Sequence, residues 1–98
     1  MTINVKPRYT MVVESMATAF GTLVREDYRN YPKEECNLYL LGSENKVLWF
    51  AQRAFPDDAY PNPIVQMGGD KIRCYSAKGI ECDIDLKTGR LLNAELVR

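Results

Sequence analysis

Two short turns constrain the C-terminal third of this chain more than any other feature. Ala77-Lys78-Gly79 and Lys87-Thr88-Gly89 each end on glycine, and each is flanked by residues that alternate between apolar and polar. A three-residue hairpin loop whose last member is left-handed takes glycine at that place. The first turn sets Tyr75 opposite Glu81, Cys74 opposite Cys82, Arg73 opposite Asp83, Ile72 opposite Ile84 and Lys71 opposite Asp85. The second sets Asp85 opposite Leu91, Ile84 opposite Leu92, Asp83 opposite Asn93, Cys82 opposite Ala94 and Ile80 opposite Leu96. All the apolar partners then share one face, whereas a slip of one residue would bury Arg73. The spacing predicts a three-stranded antiparallel meander over residues 71–97. Its inner face carries Ile72, Cys74, Ile80, Cys82, Ile84, Leu92, Ala94 and Leu96.

Upstream, CNLYLLGSENKVLWFAQ predicts a third hairpin, with Asn45 taking the left-handed position that asparagine tolerates. Its register pairs Leu40 with Leu48 and Leu38 with Phe50 on one face, and Leu41 with Val47 and Tyr39 with Trp49 on the other. Both faces are apolar, so both need cover, or one meets a partner. Residues 53–63, RAFPDDAYPNP, form a loop before a short extended piece, IVQM. Residues 11–26 fit two descriptions. Val13, Met16, Ala17, Phe20, Leu23 and Val24 recur at helical spacing, but Gly21 opposes a helix by about 1 kcal/mol. Two strands, YTMVV and FGTLVRE, joined near Ala17-Thr18, fit the valines, threonines and Phe20 better. The expected fold is all-β and a single domain over residues 1–98, as one antiparallel meander sheet or a small barrel or sandwich of hairpins. The alternative is α+β, with one helix near residues 11–26 packed on the sheet.

Ninety-eight residues make one modest core. Lysine plus arginine equals aspartate plus glutamate at 13 each, so no bulk field draws the chain to nucleic acid or an anionic membrane. No apolar run spans a membrane and the N-terminus, MTINVKPRYT, lacks the pattern of a secretory signal, so the cytoplasm is the expected location. Histidine is absent, which removes the commonest general base and metal ligand together. Neither a cofactor nor a metal is expected, and no enzymatic activity. Three cysteines, Cys36, Cys74 and Cys82, form no CxxC and cannot all pair within one chain. Cys74 and Cys82 read as small packed hydrophobes, and Cys36, after two glutamates, has a setting that raises its thiol pKa.

Two acidic groups are candidate sites. Glu81, Asp83 and Asp85 alternate on the polar side of a strand, about 7 Å from one to the next, with Arg73 and Lys71 across from the last two. That pattern reads first as a solvated charged face, with Asp85 also accepting hydrogen bonds from its turn. The loop FPDDAYPNP places Phe55, Asp57, Asp58 and Tyr60 on a proline-stiffened segment, a composition suited to reading a basic protein partner. Trp49, Tyr39 and Phe50 lack interleaved lysine or arginine and read as core rather than as base-stacking platforms. Gly68-Gly69-Asp70 is a turn.

NLYLLGSENKVLWFA together with DKIRCYSAKGIECDIDLKTGRLL resembles the hairpins of small bacterial all-β proteins of unassigned function. Their closing turn follows D-x-x-T-G-[KR], which falls here on Asp85, Thr88, Gly89 and Arg90. The same turn resembles strand ends of quinoprotein-type propeller blades, for which this chain is too short. Some proteins of this make-up are immunity proteins, and the resemblance implies a bacterial protein that binds and blocks a toxin. The expected function is therefore binding of another protein, with a basic toxin domain as the partner the resemblance implies, through Phe55, Asp57, Asp58 and Tyr60, with Glu81, Asp83 and Asp85 as a second acidic surface. A self-associating accessory domain, a homodimer, is the second expectation. An acidic metal-dependent hydrolase centred on the three strand carboxylates is the third.

Overall fold

The computed structural model describes residues 5–97; residues 1–4, which open the segment read for a secretory signal, lie outside the described part. Among the described residues eight strands follow in chain order: β1 Val12–Thr18, β2 Gly21–Glu26, β3 Leu38–Leu41, β4 Val47–Phe50, β5 Val65–Met67, β6 Lys71–Tyr75, β7 Ile80–Asp85 and β8 Leu91–Leu96. They form two four-stranded antiparallel meanders, β1-β2-β3-β4 and β5-β6-β7-β8. The fold is all-β, built of hairpins as the patterning predicts. Leu23, Leu38 and Leu40 of the first sheet and Ile72, Cys74, Ile80, Cys82 and Ile84 of the second meet in one buried cluster. Each sheet thereby removes its apolar face from water against the other.

Residues 11–26 form the β1–β2 hairpin, not a helix. Its turn falls at Ala19-Phe20, two residues later than expected, with Thr18 paired to Gly21. The Thr18 hydroxyl stabilises that position, accepting from Phe20 N at 3.1 Å and donating to Gly21 O at 2.8 Å. Gly21 is required by close approach of backbones, because a Cβ there would lie 2.3 Å from Leu41 O.

The central hairpin is covered on both faces. Tyr39 and Leu41 join Val24 in a second cluster, against which Val5, Val12, Val47 and Phe50 pack. Asn45 takes the left-handed conformation, at φ 58°. Leu41 pairs with Val47 as predicted, but a register shift then sets Leu40 opposite Trp49 and Tyr39 opposite Phe50. Leu48 is the bulged residue and is 57% exposed. The shift turns Trp49 towards the inter-sheet core, where its Nε1 donates to Leu86 O at 3.1 Å.

All five predicted β6–β7 pairs form, from Lys71 opposite Asp85 to Tyr75 opposite Glu81. In β7–β8 the pairs at Asp83, Cys82 and Ile80 hold, but Ile84 pairs with Leu91 instead of Leu92. The turn is one residue longer than expected: Asp85 N donates to Arg90 O at 2.9 Å and Gly89 N to Asp85 O at 2.7 Å. Three residues assigned to the inner face, Leu92, Ala94 and Leu96, are exposed. The bulge displaces Leu92, and β8 is an edge strand, so Ala94 and Leu96 lie beyond the cover of the first sheet.

Candidate partner-binding cleft

Two loops, one between β2 and β3 and one between β4 and β5, are pinned side by side by two polar residues. Asn37, only 1% exposed, donates from Nδ2 to Glu26 O at 2.8 Å and Tyr60 O at 2.9 Å, and accepts from Tyr60 N at 2.8 Å. Its amide adds to the backbone pairing at the same position, where Glu26 N donates to Asn37 O at 2.9 Å. Arg53 donates from one guanidinium nitrogen to Lys33 O at 2.9 Å, Glu35 O at 3.4 Å and Asp58 O at 3.3 Å. The β6–β7 turn forms a third wall, with Ala77 N donating to Ala59 O at 2.9 Å and Lys78 N to Asp58 Oδ1 at 3.2 Å. Between these walls lies an open cleft of about 370 Å³, lined by Tyr28, Tyr31, Glu35, Asp57, Asp58 and Lys78 among others. That volume is at the lower end of ligand-binding pockets, which start at roughly 300 Å³.

Asp58 is the distinctive group in the cleft wall. It is 4% exposed, and its Oδ1 accepts from Ala59 N at 2.8 Å and Lys78 N, yet its Oδ2 is buried without a hydrogen-bond partner. A buried carboxylate oxygen left unpaired costs free energy, and the buried Tyr31 hydroxyl of the same lining is likewise without a partner. The nearest lysine of the turn is engaged elsewhere: Lys78 Nζ lies 3.5 Å from Asp57 Oδ1 and 5.9 Å from the Phe55 ring centroid. The third carboxylate, Glu35, is also committed. It accepts from the Arg8 guanidinium at 2.9 Å and the Tyr9 hydroxyl at 2.6 Å.

Behind the Glu35 wall, Glu26 anchors the N-terminal segment. Fully buried, it accepts from the backbone N–H of Arg8 at 2.8 Å, Tyr9 at 3.1 Å and Thr10 at 2.9 Å, and from the Tyr39 hydroxyl. Burial opposes its ionisation, but the Tyr39 hydroxyl and these three N–H groups outweigh it and hold the carboxyl below its usual range. Burial, with Glu26 and Glu35 close by, pushes the Tyr31 phenol upward, so it stays neutral.

The four loop residues singled out from the sequence separate into two kinds. The Asp57 side chain, 60% exposed, lines the cleft, whereas Phe55, 47% exposed, lies outside the lining with its ring centroid 5.9 Å from Lys78 Nζ. Tyr60 is corrected from a contact to a core residue: it is 1% exposed and its hydroxyl donates to Gln52 O at 2.7 Å. Asp58 is corrected likewise: it is 4% exposed, and its Oδ1 is engaged by Ala59 N and Lys78 N within the wall. The strand carboxylates are occupied locally. Arg73 grips Asp83 with Nε at 2.8 Å and a second nitrogen at 3.2 Å, holding its carboxyl below the usual range, and lies 3.8 Å from Glu81. Asp85 accepts from Lys87 N at 2.9 Å within its turn. Among the described residues no group of three or more cysteines or carboxylates is placed to hold a metal ion.

All three cysteines are free and buried in the inter-sheet core. Burial pushes the Cys36 thiol up to about 12 and raises those of Cys74 and Cys82. Among the described residues no helix is long and apolar enough to cross a membrane. Comparison of the chain with protein-family models, characterised proteins and solved structures gives no match.

Tyr28, Tyr31, Glu35 and Lys78, which also line the cleft, belong to no candidate site singled out from the sequence. One signal was available. Tyr31-Pro32 and Tyr60-Pro61 repeat the same dipeptide in both loops, and each tyrosine is buried.

Proposed function

We propose that this chain is a non-enzymatic protein-binding domain that recognises a basic surface of its partner through the cleft between the two tyrosine-proline loops. The supporting observation is the Asp58 carboxylate, buried in the cleft wall with one oxygen unpaired, beside exposed Phe55 and Asp57. An exposed aromatic and an exposed acid, with a further carboxylate in the wall beside them, suit a positively charged partner. A basic toxin domain, neutralised in a bacterial cytoplasm, is the partner class implied by the resemblance of the closing hairpins. Co-expression of the tagged chain with the products of neighbouring genes, followed by affinity capture, tests the proposal. A stoichiometric basic partner, lost on Phe55→Ala plus Asp57→Lys, is expected. Retention of that partner by the double variant would refute this surface. Asp58 is not used for charge reversal, because a lysine buried there would unfold the loop.

The edge strand β8 favours a second reading, self-association. Leu92, Leu96 and Val97 are 53%, 59% and 47% exposed, beside unpaired edge backbone. Sedimentation of the purified chain separates the two: a monomer at high micromolar concentration excludes a dimer through β8.

A further inference from the structure

The edge strands of the two sheets are not equally protected. β4 has four residues and the Leu48 bulge, and β5 has three residues shortly after Pro63. β1 carries a bulge between Val12 and Glu14 and has the segment before β6 against it, with Ile64 N donating to Glu14 Oε1 at 3.1 Å and Gln66 Nε2 to Met16 Sδ at 2.8 Å. β8 has six residues without proline or lysine, and its ladder is regular from Asn93 to Leu96. Bulges, prolines, lysines and short length keep an edge from accepting another strand, and the regular part of β8 has none of them.

The register tells which backbone groups of β8 are open. Val97 N donates to Gly79 O at 2.8 Å, so by alternation Asn93 and Glu95 direct their N–H and C=O groups to β7, while Ala94 and Leu96 direct theirs outward. Ala94 and Leu96 are cross-strand partners of buried Cys82 and Ile80, yet both are exposed. The run Leu92-Asn93-Ala94-Glu95-Leu96 is a palindrome in polarity centred on Ala94. An antiparallel copy laid along this edge with Ala94 across from itself brings open backbone groups to open backbone groups. It sets Leu92 opposite Leu96 of the copy, puts the smallest side chain on the axis, and faces Glu95 with Asn93 of the copy. That amide is useful there, because in its own sheet Glu95 stands opposite Glu81, a like-charge pair. The two neighbouring registers that also match open groups are worse: one sets Glu95 against itself, and the other sets Leu96 opposite Arg90. The symmetry is a property of this strand paired with itself, which selects a second copy over a foreign strand as the occupant.

We propose that the chain forms a two-fold symmetric dimer in which β8 pairs antiparallel with β8 of a second copy about Ala94, joining the two β5-β6-β7-β8 sheets into one of eight strands. This rests on the self-association reading of β8 given above and fixes its register and symmetry. No β8 residue lines the cleft, so the two surfaces do not compete for residues.

Sedimentation velocity over a concentration series, with variants of the axis residue, tests the proposal. One strand from each copy makes a small interface, so a dissociation constant on the order of tens of micromolar is expected. Ala94→Lys, at an exposed position, brings two cations together on the axis and should weaken the dimer by at least about tenfold with Tm unchanged. In the parent, amide exchange at Ala94 and Leu96 should slow as concentration rises, and that at Asn93 and Glu95, already paired to β7, should change less. Ala94→Cys with oxidised glutathione should form an intermolecular disulfide, because directly opposed Cα atoms about 5.5 Å apart lie within the reach of one. Glu95→Cys, set against Asn93 of the copy, should cross-link far more slowly. A monomer throughout the series would overturn the self-association reading and this proposal together. A dimer that survives Ala94→Lys, leaves exchange at Ala94 and Leu96 unchanged, or cross-links faster through Glu95→Cys would overturn the register and leave self-association standing.

Discussion

Glu26→Gln removes one charge and changes one atom at a buried group that, among the described residues, accepts from three backbone N–H groups and the Tyr39 hydroxyl. The carboxylate has two acceptor oxygens, with Tyr9 and Thr10 N–H on Oε1 and Arg8 N–H and the Tyr39 hydroxyl on Oε2. Glutamine has one acceptor oxygen and an NH2 group, which cannot receive a hydrogen bond from an N–H. In one orientation the NH2 opposes Arg8 N–H; in the other it opposes Tyr9 and Thr10. Either way at least one backbone donor loses its partner, and the remaining bonds lose their charge assistance. Hydrogen bonds to charged groups contribute about 1.5–3 kcal/mol each, so a net loss of about 3 kcal/mol is expected. For a domain of this size that lowers Tm by roughly 15 °C. Thermal unfolding at pH 7, followed by far-ultraviolet circular dichroism, reads this directly. Tyr39→Phe removes only one of the donors and should cost about 1 kcal/mol, or roughly 5 °C. A Glu26→Gln protein melting within about 3 °C of the parent would refute the claim that this carboxylate anchors residues 8–10.

Three further outcomes follow from the packing and the ionisable groups. Gly89 sits at φ 75°, and a Cβ there would lie 2.6 Å from the Trp49 ring, so Gly89→Ala should destabilise by about 3 kcal/mol and red-shift the emission of this sole tryptophan. An unchanged Tm and emission maximum would contradict that packing. The folded-state pKa values of Glu26 and Asp83 lie below the ordinary 4.5 and 3.8, so their contribution is present above those values and is lost as pH falls through the depressed ones. Acid titration should therefore show stability falling below pH 4.5, with the Glu26→Gln protein losing less over the same window. Finally, a thiol-specific disulfide reagent at pH 8 should modify none of the three cysteines in the native protein and all three in denaturant; rapid native reaction of any one would contradict its burial.

The sequence was most legible where local chemistry and patterning act together. The β6–β7 register is set by a glycine-ended turn and by strands with one polar and one apolar side, and every predicted pair forms. The β3–β4 register was less legible, because both faces of that hairpin are apolar and a one-residue slip leaves the hydrophobic pattern unchanged. What decides it is tertiary: the bulge at Leu48 lets Trp49 reach Leu86 and cover Gly89. The same contact accompanies the longer β7–β8 turn, which neither the turn residues nor the flanking alternation encode. The pairing of residues 53–63 with residues 27–37 was invisible for a similar reason. Asn37 and Arg53, which join them, act on backbone groups of loops distant in sequence, and such contacts leave no periodic trace. Of the residues lining the cleft, Asp57 and Asp58 were singled out from the sequence, and Tyr28, Tyr31 and Glu35 were not.

The most direct test of the proposed function is the footprint of a captured partner, read as slowed amide hydrogen exchange on this chain when the complex forms. Protection concentrated at residues 28–35, 55–59 and 77–78 is the predicted result. Protection confined to β8 at residues 91–97, or to the strand face of Glu81, Asp83 and Asp85, with exchange around the cleft unchanged, would contradict the account.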